Sequence, residues 1–263
     1  MKNKNNRLRI DFYAVLGIEI LAAIFTTGFK LKFLDSTLLY FALPAVYLVT
    51  RKPRPLKRIF LASLFFGILL LFEMDYFAEL NNAWVVEGLY FPYKIFGVVP
   101  PELIIWGFFW VFYILVFYEH FFEGEHKDKV SPNYIYGLIP ASIILVAILF
   151  GYLCNTNYFQ FGYSYLILGG LTLLPLMFSK VRKIAETPKM LVRFVKCTAF
   201  FVCINLIYEY TALRFGQWHY PGQHVGLIPF AGLMLPIEEV LFWIIASTAI
   251  LLTYYEFFFD DGK

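Results

Sequence analysis

Six carboxylates sit where an otherwise apolar chain has little reason to carry charge: Glu73, Asp75, Glu102, Glu209, Glu238 and Glu239. Inside an apolar helix of membrane length, an ionisable residue is a functional hypothesis by default, because an unpaired charge there costs several kcal/mol. Glu238 and Glu239 follow Pro236, a residue suited to the first turn of a helix, so the spacing predicts a pair just inside a helix start. Two carboxyls in one apolar pocket titrate as a pair and can supply an acid and a base together. Successive residues on a helix differ by roughly 100° in direction, so the alternative that the two face different surroundings stays open. Glu239 shares a face with Trp243, and Glu238 with Phe242, each at i+4.

Other candidates have plainer readings. Asp75 and Glu79 read as interfacial carboxylates facing headgroups and water, and Glu119 and Glu256 as solvated or ion-paired helix-end groups. Glu19 stands alone in the first apolar helix, where an interhelical hydrogen bond explains it as well as a role does. His219 and His224 share a loop, but the further ligands that a metal site needs are not evident, so neither a metal nor another cofactor is expected. Trp84 and Trp218 suit either interface anchoring or a binding site. Cys154, Cys197 and Cys203 show no CxxC spacing and read as packing residues. GxGxxG and P-loop patterns do not occur, which removes the motif-based case for nucleotide binding.

The elements that must position these residues are membrane helices. The chain is 60% hydrophobic and 16% charged with mean hydropathy +0.66, too little charge to cover a soluble domain of 263 residues. A span needs roughly 20 apolar residues, and eight stretches qualify: 11–30, 33–50, 59–78, 101–121, 134–154, 162–179, 192–213 and 233–258. Pro44 and Pro175 predict kinks in the second and sixth. The basic start MKNKNNRLRI is followed by no small-residue cleavage site and reads as part of an uncleaved first span. With the amino terminus inside, 17 of the 22 Lys and Arg residues fall in inner segments, which predicts a multi-pass plasma-membrane protein with both termini cytoplasmic. The net charge of +3 is then a topology signal, and no nucleic-acid partner is expected.

The sequence also repeats itself. Glu102, Trp106, Tyr118 and Glu119 recur as Glu239, Trp243, Tyr255 and Glu256, at an offset of 137 each time. Glu73 and Glu209 precede Trp84 and Trp218, and Pro44-Arg51-Lys52 matches Pro175-Arg182-Lys183. The expectation is an all-α bundle of about eight transmembrane helices in two tandem four-helix repeats, 1–125 and 126–263. Four spans per repeat is an even number, so the halves share an orientation about an axis along the membrane normal.

Glu209-Tyr210, Gln217-Trp218-His219-Tyr220 and Leu235-Pro236-Ile237-Glu238-Glu239-Val240-Leu241-Phe242-Trp243 resemble the small integral-membrane lycopene cyclases, the non-flavin heterodimeric or fused type. The resemblance covers roughly 58–122 and 193–258, the second more closely. Where that family's pattern has Pro-x-Glu-Glu/Asp, the first half reads Pro100-Pro101-Glu102-Leu103. Aligned through Glu239, Pro101 takes the place of Glu238; aligned through the proline, Glu102 matches Glu238 instead.

The resemblance implies a cyclase, an intramolecular lyase or isomerase, that protonates an acyclic ψ end of lycopene or a related carotene and closes it to a ring without net redox. Glu238, Glu239, Glu102, Glu209 and Glu73 are then the candidate acids and bases. Trp243, Trp106, Trp218, Tyr210, Phe242 and Trp84 are the candidate substrate-binding and cation-stabilising aromatics. Its partners are the bilayer and a carotenoid, and association with other carotenoid-biosynthesis enzymes is a further expectation. Two readings compete: a hydratase, in which water traps the same cation, and a non-enzymatic transporter, which needs polar groups along a whole transmembrane path.

Overall fold

The computed structural model describes residues 2–51, 55–123, 129–179, 184 and 186–260. It is 74% helical. Its main helices are α1 (Lys2–Phe29), α2 (Phe33–Arg51), α3 (Leu56–Leu80), α4 (Pro101–Phe121), α5 (Tyr134–Cys154), α6 (Ser164–Ser179), α7 (Pro188–Arg214) and α8 (Glu239–Phe258). All but α6 are long and apolar enough to cross a membrane, seven among the described residues, which is compatible with a multi-pass membrane protein. The eighth expected span, 162–179, is a helix of 16 residues. At ~1.5 Å per residue it rises about 24 Å, short of the ~30 Å hydrocarbon core. Of the basic residues behind the orientation, Lys52, Arg54, Lys127, Lys180, Arg182, Lys183 and Lys263 lie outside the described residues, as does the side chain of Pro175.

Burial sorts the helices. The most apolar stretch of α4 is 61% buried, against 22% in α1 and in α5, so α4 is central and the other two are peripheral. Ile20, Ile24 and Phe29 of α1 and Ile143, Phe150 and Leu153 of α5 are exposed, as lipid-facing side chains would be. Cys197 is buried as expected, whereas Cys154 and Cys203 lie on the outer surface.

The last expected span begins late. Residues 233–236 form not a helix but strand β4 (Leu233–Pro236), paired antiparallel with β3 (Leu227–Phe230). Ala231 and Gly232 both take positive φ, 47° and 83°, which is the two-residue turn that matches strand twist. Pro236 closes the hairpin, and Ile237 opens the helical stretch, so Glu238 and Glu239 do sit at a helix start. A second pairing joins the two large loops: β1 (Val85–Val86) meets β2 (Trp218–His219), with Val85 opposite His219.

Three helices contain π turns, at Leu38–Ala42, Leu64–Leu70 and Glu239–Ala246. The first precedes Pro44, whose missing N–H leaves the carbonyl of Tyr40 without its α-helical donor, so the expected kink takes this form. In α3 the wide turn includes Gly67, which lets α3 and α4 meet backbone to backbone at Gly107. A Cβ on Gly67 would lie 2.5 Å from the Gly107 carbonyl oxygen and 2.8 Å from the Phe108 Cα. Neither atom is the end of a flexible side chain, so only helix separation relieves the overlap. Gly67→Ala is expected to cost about 2 kcal/mol and to lower the thermal midpoint in detergent. Gly17→Ala, where nothing lies within 4 Å, is the control and should leave the midpoint unchanged or raise it.

Candidate active site

Part of the chemistry-bearing set converges on one buried space at the end of the bundle that carries the two large loops. It is a cavity of about 60 Å³ between α3, α4, α6, α7 and α8, with β1 and β2 lying against it. Among the described residues three carboxyls line it: Asp75 from α3, Glu209 from α7 and Glu239 from α8. Trp84, Trp106, Trp218 and Trp243 are part of its wall. The Trp106 and Trp243 ring centroids are 4.9 Å apart, and Trp110 extends the stack at 4.5 Å from Trp243. The volume exceeds the ~10–15 Å³ that one water needs and falls below the ~150 Å³ that holds benzene, so any larger ligand must part these walls.

Glu209 and Glu239 are 1% and 4% exposed, and each is close enough to act on the other's charge. Glu209 Oε1 accepts hydrogen bonds from Trp218 Nε1 at 2.9 Å and from the Tyr220 hydroxyl at 2.6 Å, while its Oε2 has no hydrogen-bond partner. Glu239 accepts a hydrogen bond from the Tyr165 hydroxyl. Burial, reinforced by the negative charge of Glu209 and Glu239, pushes the Tyr220 phenol well above its ordinary range, so it stays a proton donor at neutral pH.

The adjacent glutamates are divided. Glu239 faces the cavity, and Glu238, about 100° away around the helix, turns to the loop and accepts the Val225 N–H at 2.7 Å. Glu102 has the same job in the first half: its Oε1 accepts the N–H groups of Tyr90 at 2.7 Å and Phe91 at 2.8 Å. Both are fully buried carboxyls that hold a loop onto a helix start, and neither lines the cavity. Glu73 is buried at 3% exposure but also outside it. Phe242 packs over Gly169 of α6, and Tyr210 lies 6.3 Å from Phe230 of β3, so these two aromatics take no part in the wall.

Two plain readings are corrected. Asp75, expected at the headgroups, is 2% exposed and lines the cavity, its Oδ2 without a hydrogen-bond partner. Glu79 is 7% exposed and is answered by Lys94 Nζ at 3.0 Å, from an exposed loop residue, and by the Val86 N–H at 3.1 Å. Glu119 is ion-paired as expected, to Arg58. Glu19 is buried against Tyr113 of α4, away from the cavity. His219 is exposed, with Nδ1 3.4 Å from Glu87. Sequence reasoning missed Tyr165 outright, since it lies in the short α6 and belongs to no matched pair; Tyr220 was present in the quoted Gln217–Tyr220 run but had been given no task.

Glu102→Ala is expected to speed amide exchange at Tyr90 and Phe91 at least tenfold, about 1.4 kcal/mol of lost hydrogen bonding. Glu102→Gln, whose amide oxygen still accepts both bonds, should keep them protected; exchange read by mass spectrometry separates the two. No family model, no curated protein and no solved structure matches the chain.

Proposed function

We propose that this chain is an acid–base carotenoid cyclase that closes an acyclic ψ end of lycopene or a related carotene. The observation that carries the proposal is the pair Glu209 and Glu239, from two different helices, inside a small cavity walled in part by four tryptophans. A carboxyl proton adds to the terminal double bond and leaves a tertiary cation. The neighbouring double bond attacks that carbon, one C–C bond forms, and the cation moves into the new ring. A carboxylate then removes a proton from the adjacent carbon, so the composition of the carotene is unchanged. Indole faces stabilise the cation, and the mostly apolar lining disfavours the water that would trap it. Tyr165 and Tyr220 hold the two carboxyls in place.

The same proposal includes two tandem halves related by an axis along the membrane normal, and several contacts support it. Tyr118 donates to Glu256 at 2.8 Å, and Tyr255 donates to Glu119 at 2.7 Å. Residues 137 apart thus exchange the same bond, as in a two-fold interface. Val85 pairs with His219, its counterpart when Trp84 is set on Trp218. α3 packs on α5 as α7 packs on α1.

The shared loop-anchoring of Glu102 and Glu238 favours alignment through the proline, at an offset of 136. The π segment at Glu239–Ala246 absorbs one extra residue and moves the offset to 137 by Trp106 and Trp243. In that alignment Leu103 stands opposite Glu239, and both line the cavity, so at this position only the second half supplies a carboxyl. The eight-span arrangement with both termini in the cytoplasm rests on the Lys and Arg distribution.

In cells that make lycopene, expression of the chain should convert it to a ringed carotene. Glu239→Gln and Glu209→Gln should each lower conversion by ~10²–10⁴, the usual contribution of a positioned acid or base. Glu102→Gln should retain most of it. Unchanged lycopene and related carotenes in the presence of inserted wild-type protein would rule the proposal out, as would full activity in both Glu209→Gln and Glu239→Gln.

A further inference from the structure

Glu209 and Glu239 are buried, and carboxyls that give and take protons there need a path to water. The hydrogen bonds of the two carboxyls point to one exit. Glu239 is bonded to the Tyr165 hydroxyl and Glu209 to the Tyr220 hydroxyl. Both phenol rings meet the same third ring, the imidazole of His224, at centroid distances of 6.4 Å and 6.0 Å. Both nitrogens of His224 are buried, with no side-chain hydrogen-bond partner and only the Tyr220 backbone close by. Beyond it, the adjoining Gly222 and Gln223 line an open groove of about 540 Å³ with Asn82, Gln160 and Ser164. His224 thus packs against the two tyrosines and directly follows, in the chain, two residues that line the polar groove.

The ionisable groups around His224 are few. Glu238 faces it from the start of α8, with Oε1 held by Val225 and Oε2 without a hydrogen-bond partner. Tyr165 comes from α6, Tyr220 from the loop after β2, and Glu209 and Glu239 lie behind those tyrosines. Burial holds the imidazole below its ordinary value against the opposing charge of Glu238, so it is neutral at pH 7 and free to accept a proton.

We propose that His224 is the proton relay between the polar groove and the cavity carboxyls, passing protons through Tyr165 and Tyr220. A turn of the buried imidazole brings one ring nitrogen to a groove hydronium, which gives up its proton and leaves as water, and the other nitrogen gives a proton to a phenol oxygen. The phenol's own proton moves to the carboxylate, so no net charge stays in the wall. The rings meet edge to face, so one water or a turn of the imidazole completes the contact. The inference rests on the acid–base reading of Glu209 and Glu239, but not on the identity of the substrate.

The test is a pH jump on the full chain in lipid nanodiscs, followed by the infrared carbonyl band of protonated carboxyl groups. The band is assigned by its loss in Glu209→Gln or Glu239→Gln. Relaxation of that band should slow at least tenfold in His224→Ala and His224→Phe, and added imidazole should restore speed to His224→Ala. Wild-type rates in both variants overturn the relay. So does slow relaxation that imidazole leaves unchanged, which would assign His224 to packing, and so does the absence of any band removed by the glutamine substitutions. A His224-dependent relaxation in a chain that cyclises no carotene would remove the proposed substrate and leave the relay standing.

Discussion

A carboxyl buried in an apolar bundle must be answered by a donor, because the desolvation of an unanswered one costs several kcal/mol. Most of the architecture at the loop end follows from that requirement. Glu102 takes the N–H groups of Tyr90 and Phe91, Glu238 takes that of Val225, and Glu79 takes that of Val86. Each bond ties a loop down to a helix end. The loops so held carry Trp218 and Tyr220, which in turn answer Glu209. At the opposite end the same rule gives Asp11 bonded to Arg51 at 2.6 Å, His120 at 2.9 Å and Tyr47 at 3.1 Å. At the loop end, carboxyls whose donors are backbone groups build the frame. Glu209 and Glu239, whose donors are tyrosine and tryptophan side chains, line the cavity, where a donor can also be a route for a proton.

The wide helical turns decide which carboxyl is which. A π turn takes up one residue more than an α turn, so it rotates everything beyond it around the helix. In α3 the π turn lies at Leu64–Leu70, just ahead of Glu73 and Asp75, and Asp75 faces the cavity while Glu73 does not. In α8 it begins at Glu239, where the pair divides, and leaves Trp243 beside Trp106. Gly67 and Gly107 bring α3 and α4 into backbone contact, and the tryptophans of α4 pack at a tilt on Trp243 of α8.

How much of this was readable in the sequence depended on range. Membrane-length helices follow from apolar runs, and seven are present where runs were seen. The helix start at Glu238 and Glu239 followed from Pro236. The division of that pair was left open, because 100° per residue leaves two facings and only the partners choose between them. Asp75 was misread because its place near a helix end suits a carboxylate facing headgroups, and only the packing of neighbouring helices buries it. Tyr165 had no local signal at all: its role comes from α6 lying against α8, 74 residues on in the chain. The β3–β4 hairpin was hidden by apolar residues that suit a helix as well as a strand, with Gly232 as its one visible mark.

The central claim is that a proton passes from the cavity carboxyls to a carotene end group and another leaves in exchange. Turnover in D₂O, with the product weighed by mass spectrometry, addresses it directly. The account predicts a ringed carotene of unchanged elemental composition, carrying about one deuterium for each ring formed. A ringed product without deuterium would contradict it, and a product heavier by the mass of water would show that the cation is trapped rather than closed.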